Sequence, residues 1–171
     1  MILTANEIAK QQAAGAVTIE PFSAARLNPC SYTYRLGPQL GVPRLTDDGA
    51  ADGKVEFDMV EIPPEGYVLQ PGRMYLGHTL EKLGSDAFTM SLVGRSSLGR
   101  LGLFLQVSAN LIHAGVKHQI TLELVAALPL RVYAGMDVGE ISFWQPYGEL
   151  QLYREGYGKF NAPTTSQAKG L

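Results

Sequence analysis

The sequence predicts a mainly β protein, a sandwich or distorted jelly-roll barrel carrying one or two short helices. Three observations lead there. Short apolar runs alternate with polar residues at a period of two, as in Val55–Ile62 and Met74–Leu83, which suits half-buried strands. Nineteen glycines and ten prolines fall between these runs, so they read as turns closing many short strands. Only the first fifteen residues carry a helix-start pattern, so alternating βα units are not expected.

The elements follow in order. Thr4 and Glu7 fit a capping box, Ile8 begins an apolar side and Gly15 ends the helix. Val17, Ile19 and Phe22 alternate as a short strand, before Pro21 and Asn28-Pro29 impose turns. Ser31–Leu36 reads as a strand stopped by Gly37-Pro38. Residues 43–54 are polar and glycine-rich, a solvent loop between two hairpin strands. Asp47, Asp48 and Asp52 lack the spacing and closing Glu of a calcium loop. Val55–Ile62 reads as a half-exposed strand, and Tyr67-Val68-Leu69 as a short one between turns. Met74–Leu83, Phe88–Val93, Leu103–Val107 (a buried strand), Ile120–Leu128, Leu130–Tyr133 and Val138–Trp144 complete the set, with a turn at Ala114-Gly115. The chain reads as a single domain over 1–171, and 155–171 as a polar tail that either stays disordered or orders over a ligand.

Composition narrows the function. A net charge of −2 gives no bulk attraction to nucleic acid or to an anionic membrane, so any phosphate site must be local. No apolar run reaches the length of a membrane span, and no basic region followed by an apolar stretch marks a signal peptide. Cys30 is the only cysteine, which excludes an internal disulfide and fits a cytoplasmic protein. The same count excludes a cysteine-rich zinc site.

The chemistry gathers in residues 94–123. Arg95, Ser96, Ser97 and Arg100 stand among glycines; arginine forks and hydroxyls suit phosphate. Glu123 is the only charge between Ile120 and Leu130, and an ionised carboxylate there needs a partner or a purpose. The alternatives are an ion pair with an arginine or a catalytic base. His113 and His118, five residues apart across a turn, lack an evident third ligand, so surface roles are favoured over a metal site. His78 reads as a strand residue. Tyr147, Tyr153 and Tyr157 read as packing and rim residues.

Several segments resemble the dCTP deaminase family of the trimeric dUTPase-like superfamily. They are Met1–Thr4, Leu27–Tyr32, Val68–Gly72, Thr79–Glu81, the signature Gly94–Leu103, Ile120–Leu124 and Gly135–Gly139, with Lys159-Phe160 in the tail. The match covers nearly the whole chain and implies a dUTPase-like distorted barrel. It is nearest the branch that both deaminates dCTP and hydrolyses dUTP.

The resemblance implies that Glu123 is the general base and proton shuttle, with Arg100 and Ser96 near the pyrimidine and attacking water. It implies that Arg95, Ser96 and Ser97 serve the phosphates and that the backbone at Val107 and Ala109 reads the base edge. Further implied contacts are His113 at the sugar and Lys159, Phe160 and Gln167 in a tail closing over the nucleotide. Arg100 is expected to keep Glu123 ionised and oriented. The implied partners are a pyrimidine deoxynucleoside triphosphate and a homotrimer with shared sites. Magnesium is expected on the triphosphate, and zinc is not.

Departures from the family pattern shape the functional expectation. His113 replaces an Asp, His118 a glycine, Leu111 an Arg of the strict deaminases and Thr33 an Asp, and the tail is a few residues short. In dUTPases the Asp at the position of His113 activates the hydrolytic water. The expectation is therefore metal-independent deamination of a cytosine deoxynucleotide, dCTP to dUTP plus ammonia, with little pyrophosphate release. The alternatives are a dUTPase-type or bifunctional, dUMP-forming diphosphatase, and a non-catalytic nucleotide-binding relative.

Overall fold

The computed structural model describes residues 1–44 and 56–153. In chain order they form α1 (Ala5–Ala13), β1 (Val17–Glu20), a 3-10 turn (Ala24–Arg26), β2 (Leu27–Asn28), β3 (Ser31–Arg35), β4 (Gln39–Pro43) and β5 (Phe57–Glu61). There follow β6 (Tyr67–Leu69), β7 (Met74–Ser85), β8 (Thr89–Gly94), α2 (Ser96–Arg100), β9 (Leu103–Leu105), β10 (Leu111–Ile112), β11 (Lys117–Ala126), β12 (Leu130–Val132) and β13 (Asp137–Trp144).

The protein is mainly β with two short helices, as the alternation predicts. One sheet has the order β5-β4-β7-β11-β9, with β1 also pairing β7; the other has the order β10-β8-β13-β3-β2. A two-stranded ribbon joins β12 to β6. The strand pairs are antiparallel, so each strand can bury alternate residues. Tyr32, Tyr34, Leu92, Ile141 and Phe143 from the second sheet join Leu40, Leu83, Leu122 and Leu124 from the first in one core. Neither sheet closes on itself among the described residues, so the expected barrel is corrected to two open sheets.

Close packing explains one conspicuous glycine. A Cβ at Gly139 on β13 would lie 2.1 Å from the Tyr34 hydroxyl. That hydroxyl donates to the Val93 carbonyl at 3.2 Å, and burial pushes the phenol well above its ordinary range.

A buried ion pair ties the sheets together. Glu81 on β7 is fully buried and accepts from the Arg35 backbone N–H at 2.9 Å and from Arg35 Nε at 2.7 Å. Thr79 fills the irregularity opposite: its Oγ1 donates to the Glu81 carbonyl at 2.7 Å and accepts the Ile120 N–H at 2.8 Å, where the β11–β7 register shifts. A bulge that frees a backbone donor is thus satisfied by a side chain.

Other expectations need adjustment. Thr4 occupies the N-cap position of α1, but its side chain makes no capping bond. The reciprocal partner, Glu7, is engaged instead by Gln11 Nε2 at 2.6 Å and by Lys10 Nζ at 3.7 Å. The predicted buried strand at Leu103–Val107 shortens to β9, with Leu103 and Leu105 buried but Phe104 and Val107 exposed. β9 is an edge strand, so only one of its faces meets the core. The predicted hairpin is present, with β4 paired to β5 from Gln39↔Glu61 to Pro43↔Phe57. Its loop, including Asp47, Asp48 and Asp52, and the tail with Lys159, Phe160 and Gln167 lie outside the described residues. No described helix is long and apolar enough to cross a membrane.

Candidate active site

Strand β11 presents the carboxylate. Ile120, Leu122, Leu124 and Ala126 are buried, so alternation turns Thr121, Glu123 and Val125 to the opposite face. There Glu123 lines a pocket of about 370 Å³ together with Gln106, Ala109, His113, His118 and Tyr153.

Two residues between β9 and β10 hold Glu123, and neither stood out in the sequence. The Ser108 N–H donates to Glu123 Oε2 at 3.1 Å, and Ser108 Oγ lies 3.2 Å from both carboxylate oxygens. Gln106 clamps the backbone: its N–H donates to the Glu123 carbonyl at 3.1 Å, and its Oε1 accepts the Glu123 N–H at 2.8 Å. Its Nε2 donates to the Ala109 carbonyl at 2.9 Å. Gln106 is buried with φ of 51°, a left-handed conformation that a non-glycine residue rarely adopts. The one sequence signal was a polar residue ending an apolar run.

The arginine expected to orient Glu123 does not do so within the chain. Among the described residues Glu123 has no salt bridge, and within the chain Ser108 bonds its carboxylate. The fold gives the reason. The motif leaves β8 in one sheet, turns through α2 and enters β9 at the edge of the other. Ser96, Ser97 and Arg100 are exposed on that crossing, and with Arg95 and Val107 they stand outside the described lining of the Glu123 pocket. Of the predicted site residues, the pocket brings together Glu123, Ala109 and His113.

Arg95 has its own setting. It is the N-cap residue of α2, and its Nη1 donates to Asp137 Oδ2 at 3.3 Å. Arg26 donates to the other oxygen of the same carboxylate, and that bond pushes the Arg26 guanidinium further above its ordinary range. Two guanidiniums therefore share one carboxylate beside the serine pair, which leaves a local excess of positive charge. Thr33, one of the departures from the family pattern, accepts from Asn28 Nδ2 at 3.0 Å.

Within the same lining the His113 ring stacks on Tyr153, with centroids 5.6 Å apart and planes 7° apart. The Tyr153 N–H donates to the Ala114 carbonyl at 2.8 Å, which pins residues 152–153 across the turn before β11. Gly115, with φ of 97°, permits this passage: a Cβ there would lie 2.9 Å from the Tyr153 nitrogen. The His118 Nδ1 lies 2.6 Å from the Gln119 carbonyl. His78 is buried in β7, its Nδ1 2.9 Å from the Thr79 carbonyl.

A mainly antiparallel two-sheet frame with a strand-borne carboxylate in a pocket and an Arg-Ser motif on the crossing defines a class of hydrolase fold that known proteins share. Residues 2–146 match the dCTP deaminase-like family. A Clostridium acetobutylicum protein, dCTP deaminase, dUMP-forming, is 37% identical over 158 residues, covering 91% of this chain and 89% of its own. One from Leptospira biflexa with the same description is 38% identical over 157 residues, 91% and 88% of the two chains. A Rhodopirellula baltica dCTP deaminase is 37% identical over 150 residues, 87% and 74%. The solved 2'-deoxycytidine 5'-triphosphate deaminase of Agrobacterium tumefaciens shares the fold, with a TM-score of 0.66 at 24% identity. That match covers 83% of this chain and 46% of the solved one, so the chain spans about half the length of that protein. The chain belongs to the dCTP deaminase-like family and is an enzyme, a hydrolase of the deaminase kind.

The relatives also correct the functional expectation drawn from the sequence. Deamination stopping at dUTP was expected from His113. The Clostridium and Leptospira proteins, matched over 91% of this chain, are dUMP-forming.

Proposed function

We propose that the chain is a bifunctional enzyme that converts dCTP to dUMP, ammonia and pyrophosphate. The observation that carries the reading is the Glu123 carboxylate, lone on an apolar strand, oriented by Ser108 and facing a pocket of nucleoside size. The dUMP product is supported by relatives of that description covering 91% of the chain.

Glu123 takes a proton from the water that attacks C4 of the cytosine ring. It then passes protons to the ring nitrogen and to the departing ammonia. The backbone near Ala109, on the same lining, reads the base edge. Arg95, Ser96, Ser97 and Arg100 serve the phosphates and the base of a neighbouring subunit's nucleotide in a homotrimer. The exposure of Ser96, Ser97 and Arg100 on the crossing, outside the lining that holds their own chain's Glu123, supports this division. Magnesium rides on the triphosphate oxygens and waters, where it offsets phosphate charge.

Incubation with dCTP and with dUTP, scoring ammonia and pyrophosphate separately, tests the reading. Equal release of both products from dCTP is expected. Ammonia release with accumulating dUTP, or release of neither product, would overturn it.

A further inference from the structure

We propose that Asp137 and Arg26 are positioning residues for the triphosphate: Arg26 anchors the Asp137 carboxylate, and Asp137 tethers the Arg95 guanidinium beside Ser96 and Ser97. This rests on the reading above in which Arg95 and the two serines serve the phosphates. A guanidinium grips a phosphate best when its planar fork already points at it. An untethered arginine gives up rotamer freedom as it binds, and a tethered one has given it up beforehand.

The backbone of Arg95 is set by its neighbours. Its N–H donates to the Val138 carbonyl at 3.1 Å, and its carbonyl accepts from the Leu98 and Gly99 N–H groups at 3.0 Å. Its side chain has one partner among the described residues, Asp137 Oδ2 at 3.3 Å. Backbone and side chain are thus both fastened to residues 137–138, at the start of β13. Asp137 is fastened in turn by Arg26, which donates to Oδ1. Arg95 follows the end of β8, Asp137 opens β13 and Arg26 stands just before β2. Three segments of the second sheet are therefore tied at one carboxylate.

The two bonds are unequal. Arg26 is the most enclosed of the three side chains, 25% exposed against 37% for Arg95 and 38% for Asp137. Its bond to Asp137 is the largest cause that holds its guanidinium above the ordinary range. The Arg95 bond, at 3.3 Å, is at the long end for an N–H donor and engages a single nitrogen. A firm anchor and a light tether orient Arg95 without consuming it, and its remaining donors stay available to an anion. With two guanidiniums on one carboxylate the cluster also keeps a net positive charge.

The full chain would be assayed for ammonia release from dCTP, reading KM and kcat. The inhibition constant of deoxycytidine, which carries no phosphate, is read beside them. Arg95→Ala should raise KM about ten- to hundredfold. Asp137→Asn sets two effects against each other. Removing a negative charge alone would tighten binding of an anion, but these groups are partly exposed and solvent screens that effect. Loss of the tether should win, raising KM about three- to tenfold. Arg26→Ala, which leaves Asp137 to pair with Arg95 undivided, should raise KM by a similar factor, and Arg26→Lys should hold it near wild type. In the Asp137→Asn background Arg26→Ala should add nothing, since it acts through the missing carboxylate. Across the Asp137 and Arg26 variants, kcat and the deoxycytidine constant should hold within about twofold.

An unchanged KM in Arg95→Ala would sink the phosphate reading itself. Where Arg95→Ala raises KM, a lowered or unchanged KM in Asp137→Asn would sink the positioning role alone. So would additive losses in the double variant, failure of Arg26→Lys to hold KM, or an equal weakening of deoxycytidine, which marks a distorted site.

Discussion

Replacing Glu123 by Gln separates chemistry from architecture at this site. The carboxylate takes one bond from the Ser108 N–H at 3.1 Å and lies 3.2 Å from Ser108 Oγ at both oxygens. A glutamine keeps one oxygen for the Ser108 N–H and turns its amide toward Oγ, which can accept. The Glu123 backbone stays clamped by Gln106 at 2.8 and 3.1 Å. Only one charge-assisted bond is weakened, at a cost of about 1–2 kcal/mol. For a chain of this size that lowers the thermal midpoint by about 2–8 °C. The catalytic loss is larger, because an amide accepts no proton at neutral pH. Removing a general base should slow ammonia release about a hundred- to ten-thousandfold. That is about 2.7–5.5 kcal/mol of barrier. Ammonia release under saturating dCTP reads the first quantity, calorimetric titration with dCTP reads binding, and a thermal melt reads stability. A variant that binds dCTP, melts near wild type and still releases ammonia at the wild-type rate would remove Glu123 from the mechanism.

Four further outcomes are expected. Glu81→Ala leaves the largely buried Arg35 guanidinium without its partner. A loss of about 3 kcal/mol is expected, seen as a fall of about 6–12 °C in a thermal melt. Gly84→Ala should fail to fold stably, because its Cβ would lie 2.0 Å from the Val116 carbonyl oxygen and 2.6 Å from Lys117 Cα, backbone atoms that cannot step aside. Gly99→Ala, in α2 with nothing within 4 Å of its Cβ, should instead match or exceed wild-type stability by up to about 1 kcal/mol. Light scattering should report a homotrimer, and an active monomer would refute the division of the site between subunits.

The strands were legible because alternation and punctuation act locally. Met74–Leu83 and Val138–Trp144 emerged as β7 and β13 with boundaries within two residues. α2 was not legible: Gly-Arg-Ser-Ser-Leu-Gly reads as a loop, and the five-residue helix forms where the chain crosses between sheets. Glu123 stood out because a charge in an apolar strand is conspicuous. Gln106 and Ser108 did not, since their bonds depend on a left-handed backbone at Gln106 that no residue type announces. Tyr153 looked like packing, and only the folded turn shows its ring against His113. The burial of Glu81 was not legible, because the Arg35 that accompanies it inside lies 46 residues away.

That buried pair has a consequence for how the molecule finds its alignment. Sliding β7 by one residue would turn its whole inward set to the other face. Lys82 would then enter the interior in place of Glu81, where the positive Arg35 already waits, at a cost of several kcal/mol. In the correct alignment the pair contributes little net stability, yet it works as a key that admits a single position of the strand. β7 is also the ruler for β11, pairing Leu76 with Glu123. A salt bridge outside the pocket lining therefore sets the depth at which the carboxylate stands within it.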